Sequence, residues 1–174
     1  MNRLTIDEFK QAEKLPLVVV LDDVRSLHNV GSVFRTCDAF RVEAVWLCGI
    51  TATPPHPEIH KTALGAEDSV AWRYFKTADE AVEELHQQGY FVYSIEQVEG
   101  STKLQELEWK EKREERRPVA VVFGNEVKGV HQSVVDASDG CLEIPQFGTK
   151  HSLNVSVTAG IVIWEFARRE LFSE

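Results

Sequence analysis

The sequence predicts an α/β fold with a mainly parallel sheet and flanking helices, and two patterns carry that prediction. Short β-branched runs alternate with segments bearing helix start and stop signals, the order that winds a sheet with helical crossovers. The runs are apolar throughout instead of alternating, as befits strands buried on both faces. No internal repeat, low-complexity tract or linker divides the 174 residues. One domain over residues 1–174 is therefore expected, with residues 1–15 as a short N-terminal helical part.

The elements follow in order. Thr5-Ile-Asp-Glu8 has the form of a capping box and opens a short helix that ends before Pro16. The run LVVVL at 17–21, closed by Asp22-Asp23, is a buried strand, and a helix follows over about 29–41. AVWL at 44–47 is the next strand, the proline-rich 51–57 a loop, and 58–64 a short helix. Thr77-Ala-Asp-Glu80 is a second capping box, and the helix behind it stops at Gly89, a residue suited to the C′ position. YFVYSI at 90–95, PVAVVF at 118–123 and CLEI at 141–144 are further strands, while the charged segment 103–117 is a solvated helix or long loop. A final helix runs over 152–171. Its succession Ile161, Val162, Ile163, Trp164 and Phe166 is more apolar than one core face needs, which predicts an isologous homodimer.

Composition narrows the function. No stretch of roughly eighteen apolar residues appears, so no membrane span is expected. The N-terminus is polar from the start, unlike a secretory signal, and a cytoplasmic location is expected. Cys37, Cys48 and Cys141 are odd in number and far apart, which fits neither a disulfide framework nor a CxxC metal site. The net charge of −9 weighs against a nucleic-acid partner. Any such surface must be local, and basic residues do cluster: Arg25, His28, Arg35 and Arg41; His56, His60 and Lys61; Lys150 and His151.

Three loops after strands carry unusual residues, and in open α/β sheets ligands bind at the carboxyl ends of strands. In the first, Asn29 suits a helix N-cap. Gly31 is costly there unless something approaches closely, and Arg35, one turn on, could hold a phosphate bidentately. The plain alternative is a capped helix with a surface arginine. In the second, Gly124 and Gly129 stand five apart, but Val130-His131 occupies the place where a P-loop needs Lys-Ser/Thr. Glu126 between the glycines is a carboxylate that an ordinary turn does not need. In the third, Ser152 is a candidate N-cap, while Asn154 and Ser156 in the first turns of an apolar helix suggest inward-facing polar partners. His56 and His60 have metal-ligand spacing, but Pro57 intervenes and no third ligand is near; no metal is expected. A hydrolase lacks its G-x-S-x-G elbow, and an NTPase its phosphate loop.

Together and in this order the loops resemble the signature motifs of the SpoU (TrmH) family of RNA 2′-O-ribose methyltransferases, in the SPOUT superfamily. They read N-x-G-x-x-x-R-T at 29–36, G-N-E-x-x-G at 124–129 and I-P-x-x-G-x-x-x-S-L-N-V-S at 144–156. The resemblance implies an α/β-knot domain, with a C-terminal trefoil knot, that works as a homodimer and folds S-adenosylmethionine into the knot. It implies cofactor contacts at Ser94, Ile95, Glu96, Gly124, Asn125, Gly129, Ile144 and Leu153. It places Asn29, Arg35, Glu126, Ser152 and Asn154 at catalytic or site-organising positions. The implied substrate is RNA, tRNA first and rRNA second. The alternative is a non-catalytic S-adenosylmethionine- or RNA-binding module of the same fold, which the presence of Asn29, Arg35 and Asn154 disfavours.

Overall fold

The computed structural model describes residues 3–150 and 152–172; His151, grouped above with the basic residues, lies outside them. Among the described residues seven strands build one sheet: β1 (Leu15–Asp22), β2 (Val42–Cys48), β3 (Ala71–Phe75), β4 (Phe91–Ile95), β5 (Thr102–Lys103), β6 (Val119–Phe123) and β7 (Gly140–Glu143). Their order is β3-β2-β1-β6-β4-β7-β5, and every pairing is parallel. The helices are α1 (Ile6–Gln11), α2 (Leu27–Ala39), α3 (Pro57–Ala63), α4 (Ala66–Ser69), α5 (Ala78–Gln87), α6 (Gln132–Ala137) and α7 (Val155–Leu171).

The unbroken apolar runs are explained by a core on each face. Leu17, Val19 and Leu21 of β1 join one core with α2, α3 and α7, while Val18 and Val20 join the other with α5 and α6. Val19, Val20 and Leu21 are fully buried, each stabilising the fold by roughly 1.5–3 kcal/mol. The order of strands reverses between β1 and β6, the topology at which open α/β sheets bind ligands near the carboxyl ends of their strands.

Local structure departs from expectation at the helix starts. The capping box at Thr5 is present in both directions. However, α2 begins at Leu27, where Ser26 Oγ accepts the Asn29 N–H at 3.1 Å. Asn29 is therefore inside the first turn and is not the cap. Likewise α7 begins at Val155 with Asn154 as its cap, which corrects the reading of Ser152. Strand β1 starts earlier than expected and takes in Pro16, at a register irregularity between Leu15 and Val18 that accommodates a residue without an N–H. β3 and α6 were not anticipated: four of the five β3 residues are exposed, and α6 has no side-chain cap. Segment 103–117 is neither helix nor plain loop, but the end of β5 followed by two single 3₁₀ turns, Leu104–Glu106 and Arg113–Glu115.

Candidate functional site

Beyond the carboxyl ends of β4, β6 and β7 lies a cleft of about 360 Å³. The second and third motif loops wall it. Of the residues singled out from sequence, Ile95, Glu96, Gly124, Asn125, Glu126, Gly129, Ile144, Ser152 and Leu153 line it. Leu142 adds an apolar surface, and Gln97 and Thr158 add polar atoms. Ser94 does not line it: its side chain is buried and shares a hydrogen bond with Ser138 Oγ at 2.7 Å, on the other side of the strand. Alternation along β4 turns its neighbours Ile95 and Ser94 to opposite faces.

The loop after β6 is tight because the chain folds back on itself. Asn125 N–H donates to Gly129 O at 3.0 Å and Gly129 N–H to Asn125 O at 2.9 Å. A Cβ on Gly124 would overlap the backbone of Gly129 and Val130, so only glycine permits this approach. Asn125 shapes the turn with both ends of its amide: Oδ1 accepts the Val127 and Lys128 N–H groups, and Nδ2 donates to Asp23 O at 2.7 Å. Such self-bonding is the usual work of asparagine in turns.

Glu126 reaches from this loop to the start of α2. Its carboxylate accepts the Arg25 and Ser26 N–H groups, both at 3.1 Å, and Asn29 Nδ2 at 3.4 Å. Burial pushes its carboxyl up, but the Ser26 and Arg25 N–H donors, its own N–H and the Asn29 amide outweigh that and hold it below the usual range. Glu126 is thus a carboxylate saturated with donors, suited to tethering two motif loops and poorly suited to taking up a proton. Asn29, buried behind Ser26, completes the same clasp.

The remaining site residues lie outside the cleft lining. Arg35 is exposed and has no hydrogen bond or ion pair among the described residues. Gly31, one turn before it, is not a bare patch for a phosphate: a Cβ there would overlap Thr62 Oγ1 and Ile59 O, so the glycine serves the close packing of α2 on α3. Asn154 is exposed, and its Oδ1 accepts the Ser156 N–H at 2.8 Å and the Ser156 hydroxyl at 2.6 Å. The inward-facing partners expected for Asn154 and Ser156 are therefore replaced by a local capping pair. His56 Nδ1 caps α3, and His60 pairs with Glu67 at 3.0 Å, so both have partners in the protein.

A pair that sequence reasoning passed over lies at the end of β1. Asp22, 2% exposed, accepts the His131 N–H at 2.9 Å and His131 Nδ1 at 2.8 Å. The only available signals were an aspartate closing an apolar strand and a histidine noticed merely because a P-loop would have had another residue.

The family model described as the SpoU rRNA Methylase family matches residues 16–164. A tRNA (guanosine(18)-2′-O)-methyltransferase from Thermus thermophilus is 31% identical over 170 residues, covering 98% of this chain and 84% of the relative. The crystal structure of the A. aeolicus TrmH/SpoU tRNA modifying enzyme superimposes with a TM-score of 0.81 at 26% identity, over 96% of this chain and 82% of that one. The AdoMet-bound rRNA methyltransferase from Sinorhizobium meliloti gives 0.80 at 26% identity, over 95% of this chain and 60% of that one.

Proposed function

Because the chain belongs to the SpoU rRNA methylase family, we propose that it transfers a methyl group from S-adenosylmethionine to a ribose 2′-hydroxyl of RNA, with tRNA as its first substrate and rRNA as its second. The observation that carries this reading is the Glu126 clasp, which through Asn29 and the start of α2 ties the first motif to a cleft lined by the other two.

The residues present fit the cofactor. The cleft has the volume of a small-molecule site and mixes apolar side chains with many polar groups. Ile95, Leu142, Ile144 and Leu153 offer surface to an adenine and a methionyl chain. Glu96, Gln97 and the backbone around Gly124, Asn125 and Gly129 offer polar partners. When bound, the cofactor supplies a methyl group already activated by its sulfonium.

What the chain must add is orientation and charge. A ribose hydroxyl attacks poorly until its proton is removed or strongly polarised. Arg35 is permanently charged and forked, so it can grip the neighbouring phosphate and stabilise the developing alkoxide. Ser152, on the cleft wall and without a hydrogen bond among the described residues, is free to meet the ribose. Glu126, Asn29 and Asn154 act by position: the first two hold the start of α2 against the cleft, and the third starts α7 so that Leu153 lies on the wall.

The trefoil knot and the homodimer belong to the same reading. β7 lies between β4 and β5, which are joined only by residues 96–101, so the chain leaving β7 must pass this short connector. Ile161 and Trp164 stay exposed on α7 while Val162, Ile163 and Phe166 are buried, which leaves a second apolar stripe for a partner copy. Exposed Arg25, Arg35 and Lys150 offer the local positive charge that RNA needs on an acidic chain.

The test is transfer of labelled methyl groups from S-adenosylmethionine to total tRNA and rRNA from a deletion strain, with the product mapped by mass spectrometry. A 2′-O-methyl nucleotide absent from the deletion strain and restored by the protein is expected. Labelling of a base, or of neither RNA, would overturn the proposal.

A further inference from the structure

The loop at 124–131 is held by anchors on three sides, and they differ in chemistry. Glu126 grips the start of α2, and Asn125 Nδ2 bonds Asp23 O at the end of β1. Just past the end of β4, Glu96 accepts the Val130 N–H at 2.6 Å. The last anchor is His131, whose N–H and Nδ1 both meet the buried carboxylate of Asp22. His131 Nε2 also lies 3.5 Å from Asp23 Oδ2. Neither Asp22 nor Asp23 has a lysine or arginine within salt-bridge distance among the described residues. His131 is therefore the basic group that faces them, and the imidazole is half exposed, open to protons from solvent.

The geometry points to His131 as a positioning residue: its contact with Asp22 pins the end of the G-N-E-x-x-G loop to β1 and so holds the backbone of Val130 and, next to it, that of Gly129, which lines the cleft. This rests on the reading that the cleft takes S-adenosylmethionine. The charged groups acting on His131 from the elements packed against it are Asp22 and Asp23 at the end of β1 and Asp79 at the start of α5, and all are acidic. The hydrogen bond and charge of Asp22 hold the imidazole's pKa above its usual range against a smaller effect of burial. A raised pKa stabilises the native loop fully below the ordinary imidazole value, and that contribution is lost as pH rises through the folded value. Deprotonation leaves Asp22 as a buried carboxylate with a neutral partner, and the anchor weakens. Cofactor affinity is then expected to fall as pH rises through that folded value, through a residue that does not line the cleft.

Two measurements on the full chain test this. Calorimetric titration with S-adenosylmethionine is followed from acid to alkaline pH for wild type, His131→Ala and His131→Asn, the last keeping a neutral amide donor near the Nδ1 position. Amide exchange at Gly129 and Val130 is read without ligand over the same range. In wild type, affinity and amide protection should decline together as pH rises. His131→Ala should be weakened by about threefold to tenfold in affinity at neutral pH, with melting temperature confirming a folded chain. His131→Asn should recover part of that loss and flatten the pH dependence. An unchanged pH profile in both variants, or Gly129 and Val130 exchange unaltered by them, overturns the proposal. Absence of cofactor binding in wild type would instead overturn the functional reading, while the exchange measurement still decides the role of His131.

Discussion

Arg35 is an exposed guanidinium without a partner among the described residues, so nothing in the fold depends on it. Arg35→Ala is expected to change stability by no more than about 0.5 kcal/mol and to leave cofactor binding intact. Methyl transfer should fall by at least about 100-fold, the scale on which one charge-stabilising donor acts. Arg35→Lys should also fail, because it keeps the charge and loses the fork. Labelled-methyl transfer alongside thermal melting checks both, and near wild-type turnover in Arg35→Ala would remove the residue from the chemistry. Glu126 titrates in the opposite sense to His131. Its pKa is lowered on balance, so the clasp's contribution is present above the ordinary carboxylate value and is lost as pH falls through the folded one. Amide exchange at Arg25 and Ser26 should therefore accelerate in acid in wild type, and Glu126→Gln should remove that acid-sensitive step.

At the scale of elements, the site depends on how closely α2 lies on α3. Gly31 leaves room for Thr62 Oγ1, which donates to His28 O at 2.9 Å and ties the start of one helix to the end of the other. Gly31→Ala must push α3 away or strain α2. The expected cost is about 1–3 kcal/mol, the usual penalty for overpacking, read as a lowered denaturation midpoint at unchanged slope. A neutral effect would mean that the helices move apart freely. Asn154 shows the same dependence of site on element. As the α7 cap it starts the helix and fixes where Leu153 enters the cleft wall, so its removal acts on structure before it acts on chemistry.

At the scale of the whole molecule, α7 keeps an apolar stripe exposed to solvent. Trp164 is 45% exposed, with its ring 5.6 Å from Phe40 and 6.2 Å from Phe172, and Ile161 lies beside it at 38%. Trp164→Glu places a charge on that stripe without touching the buried face. Sedimentation should show wild type as a dimer and the variant as a monomer; a wild-type monomer at micromolar concentration would dispose of the interface. Among the described residues no helix is long and apolar enough to cross a membrane, so this stripe is not a span.

Fold class and the loops of the site were legible in the order of the amino acids. Apolar runs at 17–21 and 118–123 read as strands covered on both faces, Glu126 stood out because an ordinary turn does not need a carboxylate, and Gly124 and Ile144 stood out through the resemblance of their loops to the family motifs. Local hydrogen bonding was less legible. Ser26, Asn29, Ser152 and Asn154 can all cap a helix, and which of them does so depends on where packing lets the first turn form. Ser94 and Ile95 are neighbours in sequence, and only the face that the sheet presents separates the buried one from the cleft wall. Tertiary structure alone decided the long-range pairs: Glu126 with Arg25 and Ser26 about a hundred residues away, and Asp22 with His131. Such contacts follow from strand order, because β1 and β6 are adjacent in the sheet and remote in the chain. No local propensity or periodicity encodes that adjacency; burial of both sheet faces does.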